Sequence, residues 1–139
     1  MDPRLPTAEH IIAKILEDRF DVKVGICKFD DIGLLEVYSR LDLREVVLED
    51  LENQTNKIIS NNLVVKKYIL SREEAEKEVD LRKVPKKTQE IRIVDIQEFD
   101  KRPCADNHVD NTSEIGKIRI KSVERVGKDR YRFLFETND

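Results

Sequence analysis

Apolar residues recur at helical spacing from Ala8 through Ile11, Ile12, Ile15 and Leu16 to Phe20, which predicts a first helix over TAEHIIAKILEDRF, opened by Pro6 and Thr7. A proline there removes no helical hydrogen bond, because the first N–H groups of a helix have no partner within it. The period then shortens to that of strands: VKVGICKF (22–29) and IGLLEVY (32–38) predict two strands joined at Asp30 and Asp31. REVVLEDLENQTNKIISNN (44–62) reads as a longer helix ended by Asn61 and Asn62, and LVVKKYIL (63–70) as a strand. SREEAEK (71–77) starts a short helix with a capping box, Ser71 followed three residues later by Glu74. The last third alternates as strands in EIRIVDIQ, GKIRIKSVERV and RYRFLFE, the final two meeting at Gly127, Lys128 and Asp129. Helices flanking strands joined by short turns predict an α+β fold with a mainly antiparallel sheet, and 139 residues fit one domain spanning 1–139.

Composition narrows the function classes. The chain is 40% charged and 39% hydrophobic, with no tryptophan, four glycines and four prolines, as expected of a soluble globular protein. A net charge of -3 argues against a protein that coats nucleic acid nonspecifically, since phosphate neutralisation needs clustered cations. Two local basic groups remain: Arg82, Lys83, Lys86 and Lys87, and the stretch from Lys117 to Arg132. In the second, Lys117, Arg119 and Lys121 point one way while Ile118 and Ile120 point the other, the pattern of a solvated sheet face. No apolar run approaches the roughly 20 residues that cross a bilayer, so no membrane span is expected. The N-terminal residues lack a signal-peptide pattern and two cysteines build no disulfide framework, which makes the cytoplasm the expected compartment.

Candidate chemistry concentrates in three residues. Cys104 and His108 lie four apart in RPCADNHVDN, and a turn of that length lets thiolate and imidazole reach one ion. His10, the other histidine, falls on the helix face opposite Ile11, Ile12, Ile15 and Leu16, either exposed or facing a cleft. Together His10, Cys104 and His108 offer the nitrogen and sulfur donors that Zn2+ prefers, with three protein ligands leaving a fourth position open, as in catalytic zinc sites. Cys27, beside Ile26 in a predicted strand, reads as a small buried hydrophobe rather than a nucleophile.

Three segments in order along the chain resemble the editing domain of alanyl-tRNA synthetases and the free-standing AlaX trans-editing proteins, and more distantly the related domain of threonyl-tRNA synthetases. PTAEHII resembles the family's His-x-x-x-His helix, with His10 on its second histidine. LEDLENQTNKIISNNLVVKKYILSREEAEK follows the family's central helix, strand and Ser-Arg-Glu-Glu-Ala helix start, and CADNHVDNTSEIGKIRI resembles its Cys-Gly-Gly-Thr-His segment with the Asn/Arg-Thr-x-Glu-Ile-Gly that follows. The chain departs from the pattern at Pro6, where the first histidine stands in the family, and at Ala105, Asp106 and Asn107, which replace Gly-Gly-Thr.

The resemblance implies an aminoacyl-tRNA deacylase that hydrolyses, in trans, the ester of mischarged tRNA(Ala), chiefly seryl-tRNA(Ala) and in some members glycyl-tRNA(Ala). It implies Zn2+ as cofactor, held here by His10, Cys104 and His108, and tRNA as partner, with zinc either activating water or orienting the ester. The missing ligand at Pro6 implies an alternative, a degenerate relative that binds tRNA or a synthetase without catalysis.

Overall fold

The computed structural model describes residues 2–138. It contains α1 (Arg4–Arg19), β1 (Val22–Phe29), β2 (Gly33–Ser39), α2 (Leu48–Ile59), β3 (Val65–Ser71), α3 (Arg72–Glu76), β4 (Glu90–Ile96), β5 (Asp100–Pro103), β6 (Ile118–Gly127) and β7 (Arg130–Thr137). Short 3-10 turns occupy Leu43–Glu45 and Thr112–Ile115. The strands form a four-stranded sheet, ordered β1-β2-β7-β6, and a three-stranded sheet, ordered β3-β4-β5. Every pairing is antiparallel, in keeping with the predicted α+β class, although the strands divide between two sheets.

Helix α1 begins three residues earlier than the periodicity predicts, with Pro3 at its N-cap and Pro6 inside the first turn, where a missing N–H still costs no helical bond. Its apolar stripe, Ala8, Ile11, Ile12 and Leu16, is fully buried in one cluster with Leu35 and Val37 of β2 and Phe133 and Phe135 of β7. Burying each of the larger side chains stabilises the fold by about 1.5–3 kcal/mol. Gly33 is required by this packing, because a Cβ there would lie 2.3 Å from the Phe135 ring. Along β6, Ile118 and Ile120 are buried while Arg119 and Lys121 are exposed, the solvated face that alternation predicts.

The second sheet serves as an arm for the site. Strand β4 alternates between two apolar clusters: Ile91 and Ile93 pack with Ala75 and Leu81, while Val94 and Ile96, on the opposite face, join the main core. Arg92 shares that opposite face. The predicted capping box forms at α3, where the Ser71 hydroxyl accepts from the Glu74 N–H at 3.2 Å. Strand β5 was not legible as alternation, being four charged or proline-containing residues held by pairing with β4 in the register Ile93↔Pro103 to Ile96↔Asp100. Its consequence is positional: one residue beyond its end the Cys104 N–H donates to the Arg92 carbonyl at 3.1 Å, so the ladder itself delivers Cys104.

Candidate metal centre

His10 sits in the middle of α1 with 1% of its surface exposed, which corrects the reading of an exposed helix residue and favours the cleft-facing one. The physical reason is that α1 is covered on both sides: residues Leu5 to Ala13 are all buried, the apolar stripe by the sheet and the other side by elements that include β5. His10 lines a cleft of 1160 Å³ together with Glu9, Cys27, Arg102, Cys104 and Asp106. A cleft of that size accommodates a ligand as large as an aminoacylated nucleoside.

The turn from Cys104 to His108 is fastened at several points. Arg92 donates from one guanidinium nitrogen to the carbonyls of Cys104 (3.2 Å) and Asp106 (2.6 Å). Thr7, fully buried in the first turns of α1, fixes the other end. Its hydroxyl donates to the Pro3 carbonyl at 2.9 Å and accepts from the Val109 N–H at 3.2 Å, while its Oγ1 lies 3.0 Å from His108 Nδ1. Because the single hydroxyl proton is engaged with Pro3, Nδ1 carries the proton that Thr7 accepts, and His108 Nε2 presents its lone pair on the opposite edge of the ring. That edge points at Cys104, with Nε2 3.4 Å from Sγ.

His10 completes the group. Its ring packs edge-on against His108, centroids 4.6 Å apart at 62°, and one donor atom from each of His10, Cys104 and His108 lies within 4.8 Å of the others. A tetrahedral ion with metal–nitrogen and metal–sulfur bonds of about 2.0 and 2.3 Å sets its donors roughly 3.3–3.7 Å apart. The His108–Cys104 pair is already at that separation. His10 Nδ1 is buried without a hydrogen-bond partner, 3.7 Å from Asp100 Oδ2, a carboxylate that Arg102 holds with two bonds of 2.7 and 2.8 Å. Two imidazoles and a thiol converging in this way are a donor set that fits a metal ion. Pro6, one turn before His10 and buried, offers no side-chain donor. Glu9 and Asp106 fall outside the converging set, although Asp106 Oδ2 accepts from the Cys104 thiol at 3.5 Å.

The surroundings set the protonation state of each donor. Burial, reinforced by His108 and Arg102, holds His10 well below the usual imidazole range, and burial with the nearby charges of Arg92 and Lys67 lowers His108 to about 4. Both rings are therefore neutral and available as donors near pH 7. Burial, with the negative charges of Asp106 and Glu9, raises the Cys104 thiol to about 12, so by itself it is no nucleophile. Burial also raises Glu9 to about 7. Cys27 is half-buried against Glu9 and its thiol is pushed far up by burial, as the reading of an inert cysteine requires.

Sequence reasoning named the three donors but not their supports. Thr7 reads as a helix opener and Arg92 as one of many charged strand residues; only register across β4 and β5 brings Arg92 to the turn. Asp100 and Arg102 belong to the strand that periodicity missed. Thr112 and Glu114 tie the backbone together: the Thr112 hydroxyl donates to the Ile59 carbonyl and Glu114 closes a capping box with Asn111.

Residues 91–133, which include Cys104 and His108, match the threonyl and alanyl tRNA synthetase second additional domain. Over 98% of its length the chain is 29% identical to the alanyl-tRNA editing protein AlaX-M of Methanosarcina acetivorans, covering 58% of that protein. It is 32% identical over 95% of its length to the alanyl-tRNA editing protein AlaX-L of Pyrococcus horikoshii, covering 33% of it. A third relative, the alanine–tRNA ligase of Methanopyrus kandleri, is 33% identical over 91% of the chain, which covers 15% of that enzyme. The chain thus spans little more than half the length of the AlaX-M relative and less of the others.

Proposed function

We propose that this chain, an AlaX-type relative of the alanyl-tRNA synthetase editing domain, is a zinc-dependent aminoacyl-tRNA deacylase acting in trans on mischarged tRNA(Ala). Seryl-tRNA(Ala) is its chief substrate and glycyl-tRNA(Ala) a second. The observation that carries the reading is the convergence of His10, Cys104 and His108, from two distant parts of the chain, the first two of which line an open cleft.

In this reading the two neutral imidazoles and the Cys104 sulfur would hold Zn2+, with fewer protein donors than the four of a closed site. Bound zinc would supply a Lewis acid able to polarise the ester or lower the pKa of water. The rest is the work of the chain. Thr7 keeps the His108 proton on Nδ1, so that Nε2 remains a donor; Arg92 holds the turn's backbone; Asp100, clamped by Arg102, places a carboxylate beside His10. Discrimination against alanine follows from chemistry: a site that hydrogen-bonds the serine hydroxyl is left with unpaired polar groups when alanine enters.

Pro6 favours a second reading, a relative that binds tRNA or a synthetase without turnover, because it removes a helix donor one turn from His10. Metal analysis of protein purified without chelator, followed by deacylation of seryl- and alanyl-tRNA(Ala), separates the two. Stoichiometric zinc with loss of the seryl ester and sparing of the alanyl ester is expected; tRNA binding without turnover selects the second reading.

A further inference from the structure

Glu9 is an ionisable side chain whose burial the metal centre does not explain. It is 6% exposed, it lines the cleft, and its Oε2 is buried with no hydrogen-bond partner. A carboxylate oxygen left unmatched in a buried place is unfavourable unless something reaches it in the working state. Its cationic neighbours are engaged elsewhere. Arg102 is bonded to Asp100 and to Glu17, and the Lys83 ammonium is bonded to the Val24 carbonyl. The Cys27 thiol lies against the carboxyl but is itself a weak donor.

We infer that Glu9 receives the α-ammonium group of the aminoacyl ester, an inference that rests on the deacylase reading. An aminoacyl ester brings two groups into the cleft that need opposite partners: a carbonyl that requires an electrophile, and an ammonium with three N–H donors and no acceptor. A metal ion at His10, Cys104 and His108 suits the carbonyl and repels the ammonium. Glu9 is adjacent to His10 on α1, and the two groups of the ester are separated by one Cα. Glu9, His10 and Cys104 line the same cleft, and the charge of Glu9 acts on the Cys104 thiol, so the acceptor stands near the electrophile. A charge-assisted bond in a water-poor wall is strong and directional. Glu9 accordingly selects for a free amino group rather than among amino-acid side chains, so that N-acylated and peptidyl esters are spared while serine and glycine esters are both accepted.

The test uses a non-hydrolysable analogue, serine linked by an amide to 3′-amino-3′-deoxyadenosine, prepared with a free and with an N-acetylated α-amine. Calorimetry measures both on wild type and on Glu9→Gln, with zinc uptake measured separately for each protein. Acetylation is expected to weaken binding to wild type by about 10–100-fold, the worth of one hydrogen bond to a charged group. In Glu9→Gln that ratio is expected to fall to within about threefold, with zinc stoichiometry unchanged. Equal affinity of wild type for the two analogues overturns the inference and needs no variant to be folded; so does an undiminished ratio in Glu9→Gln. Wild type that takes up zinc, cleaves seryl-tRNA(Ala) and ignores acetylation leaves the deacylase reading standing while removing this role. Wild type that neither binds the analogues nor cleaves the ester overturns both.

Discussion

The two walls of the cleft meet at one cluster of donors but are made rigid by different means. The α1 wall is a packed solid: His10 and Glu9 are carried by a helix whose Ala8, Ile11 and Ile12 are completely buried, so its placement follows from apolar area. The Cys104–His108 turn contains no regular structure and is positioned by individual polar bonds, from Arg92 to two carbonyls and from Thr7 to the far end. Packing tolerates the loss of one contact by degrees, whereas a turn held by a few bonds loses its geometry with any one of them. The donor cluster should therefore be robust on its helix side and fragile on its turn side.

The largest effect is expected from the donors themselves. Cys104→Ala and His10→Ala should each lower zinc affinity by at least about 100-fold, since altering groups that merely support ligands already costs about 10–100-fold. Zinc content and deacylation should fall together, as measured by elemental analysis and tRNA turnover on the same preparations. Full activity in a metal-free Cys104→Ala protein removes the metal from the account.

Thr7 is the next test, because it belongs to the helix wall yet holds the turn. Thr7→Val keeps the shape and leaves the His108 Nδ1–H and Val109 N–H without their acceptor. Burying such groups unpaired costs about 1–3 kcal/mol in total stability. Zinc affinity should fall by about 10–100-fold, as for other residues that orient a ligand. If Thr7→Val binds zinc as wild type does, the turn is held by Arg92 and its own backbone, and the contrast between the walls weakens.

The same contrast explains what could be read from the sequence. Helix α1, the β1 and β2 strands and the β6–β7 pair are legible because each buries one face, and burial of one face writes its period into the chain. His10, Cys104 and His108 are legible as candidates that converge, since two histidines and two cysteines leave few combinations and only Cys104 lies close to a histidine in the chain. His10's burial is not: a helical projection shows which side lacks apolar residues, but not that β5 covers that side. Strand β5 itself, with Asp100, Lys101 and Arg102, has no alternation and exists through its pairing with β4. Arg92 and Thr7 owe their roles to register and to a hydrogen bond spanning 101 residues, neither of which a local pattern records.

Acidification offers a smaller effect with a definite sign. In the metal-free protein both imidazoles are held below their unfolded value of about 6.5, His108 at about 4. Over that interval the unfolded chain binds more protons than the folded one, so the stability present above pH 6.5 is lost as pH falls toward 4. Glu9 acts in the opposite sense: its folded carboxyl is raised to about 7, so it contributes stability below its unfolded pKa that disappears as pH rises through 7. Two imidazoles outweigh one carboxyl, and urea midpoints should fall between pH 7 and pH 5. Glu9→Gln should make that fall steeper, and a midpoint that is flat in both proteins contradicts the buried, neutral state of the rings.

The smallest effect belongs to the second cysteine. Cys27 lines the same cleft as Cys104 and its thiol is likewise raised by burial, so protonation does not distinguish them. Position does. Cys104 faces a histidine at 3.4 Å, whereas Cys27 rests against Glu9 and falls outside the group of converging donors. Cys27→Ala removes one sulfur from a half-buried site and should cost about 1 kcal/mol or less in stability, with zinc affinity within about twofold of wild type. Denaturant titration and a competitive zinc chelator measure both on one protein. Loss of zinc in Cys27→Ala, beside retention in Cys104→Ala, would move the site from the turn to β1 and remove the turn from the comparison.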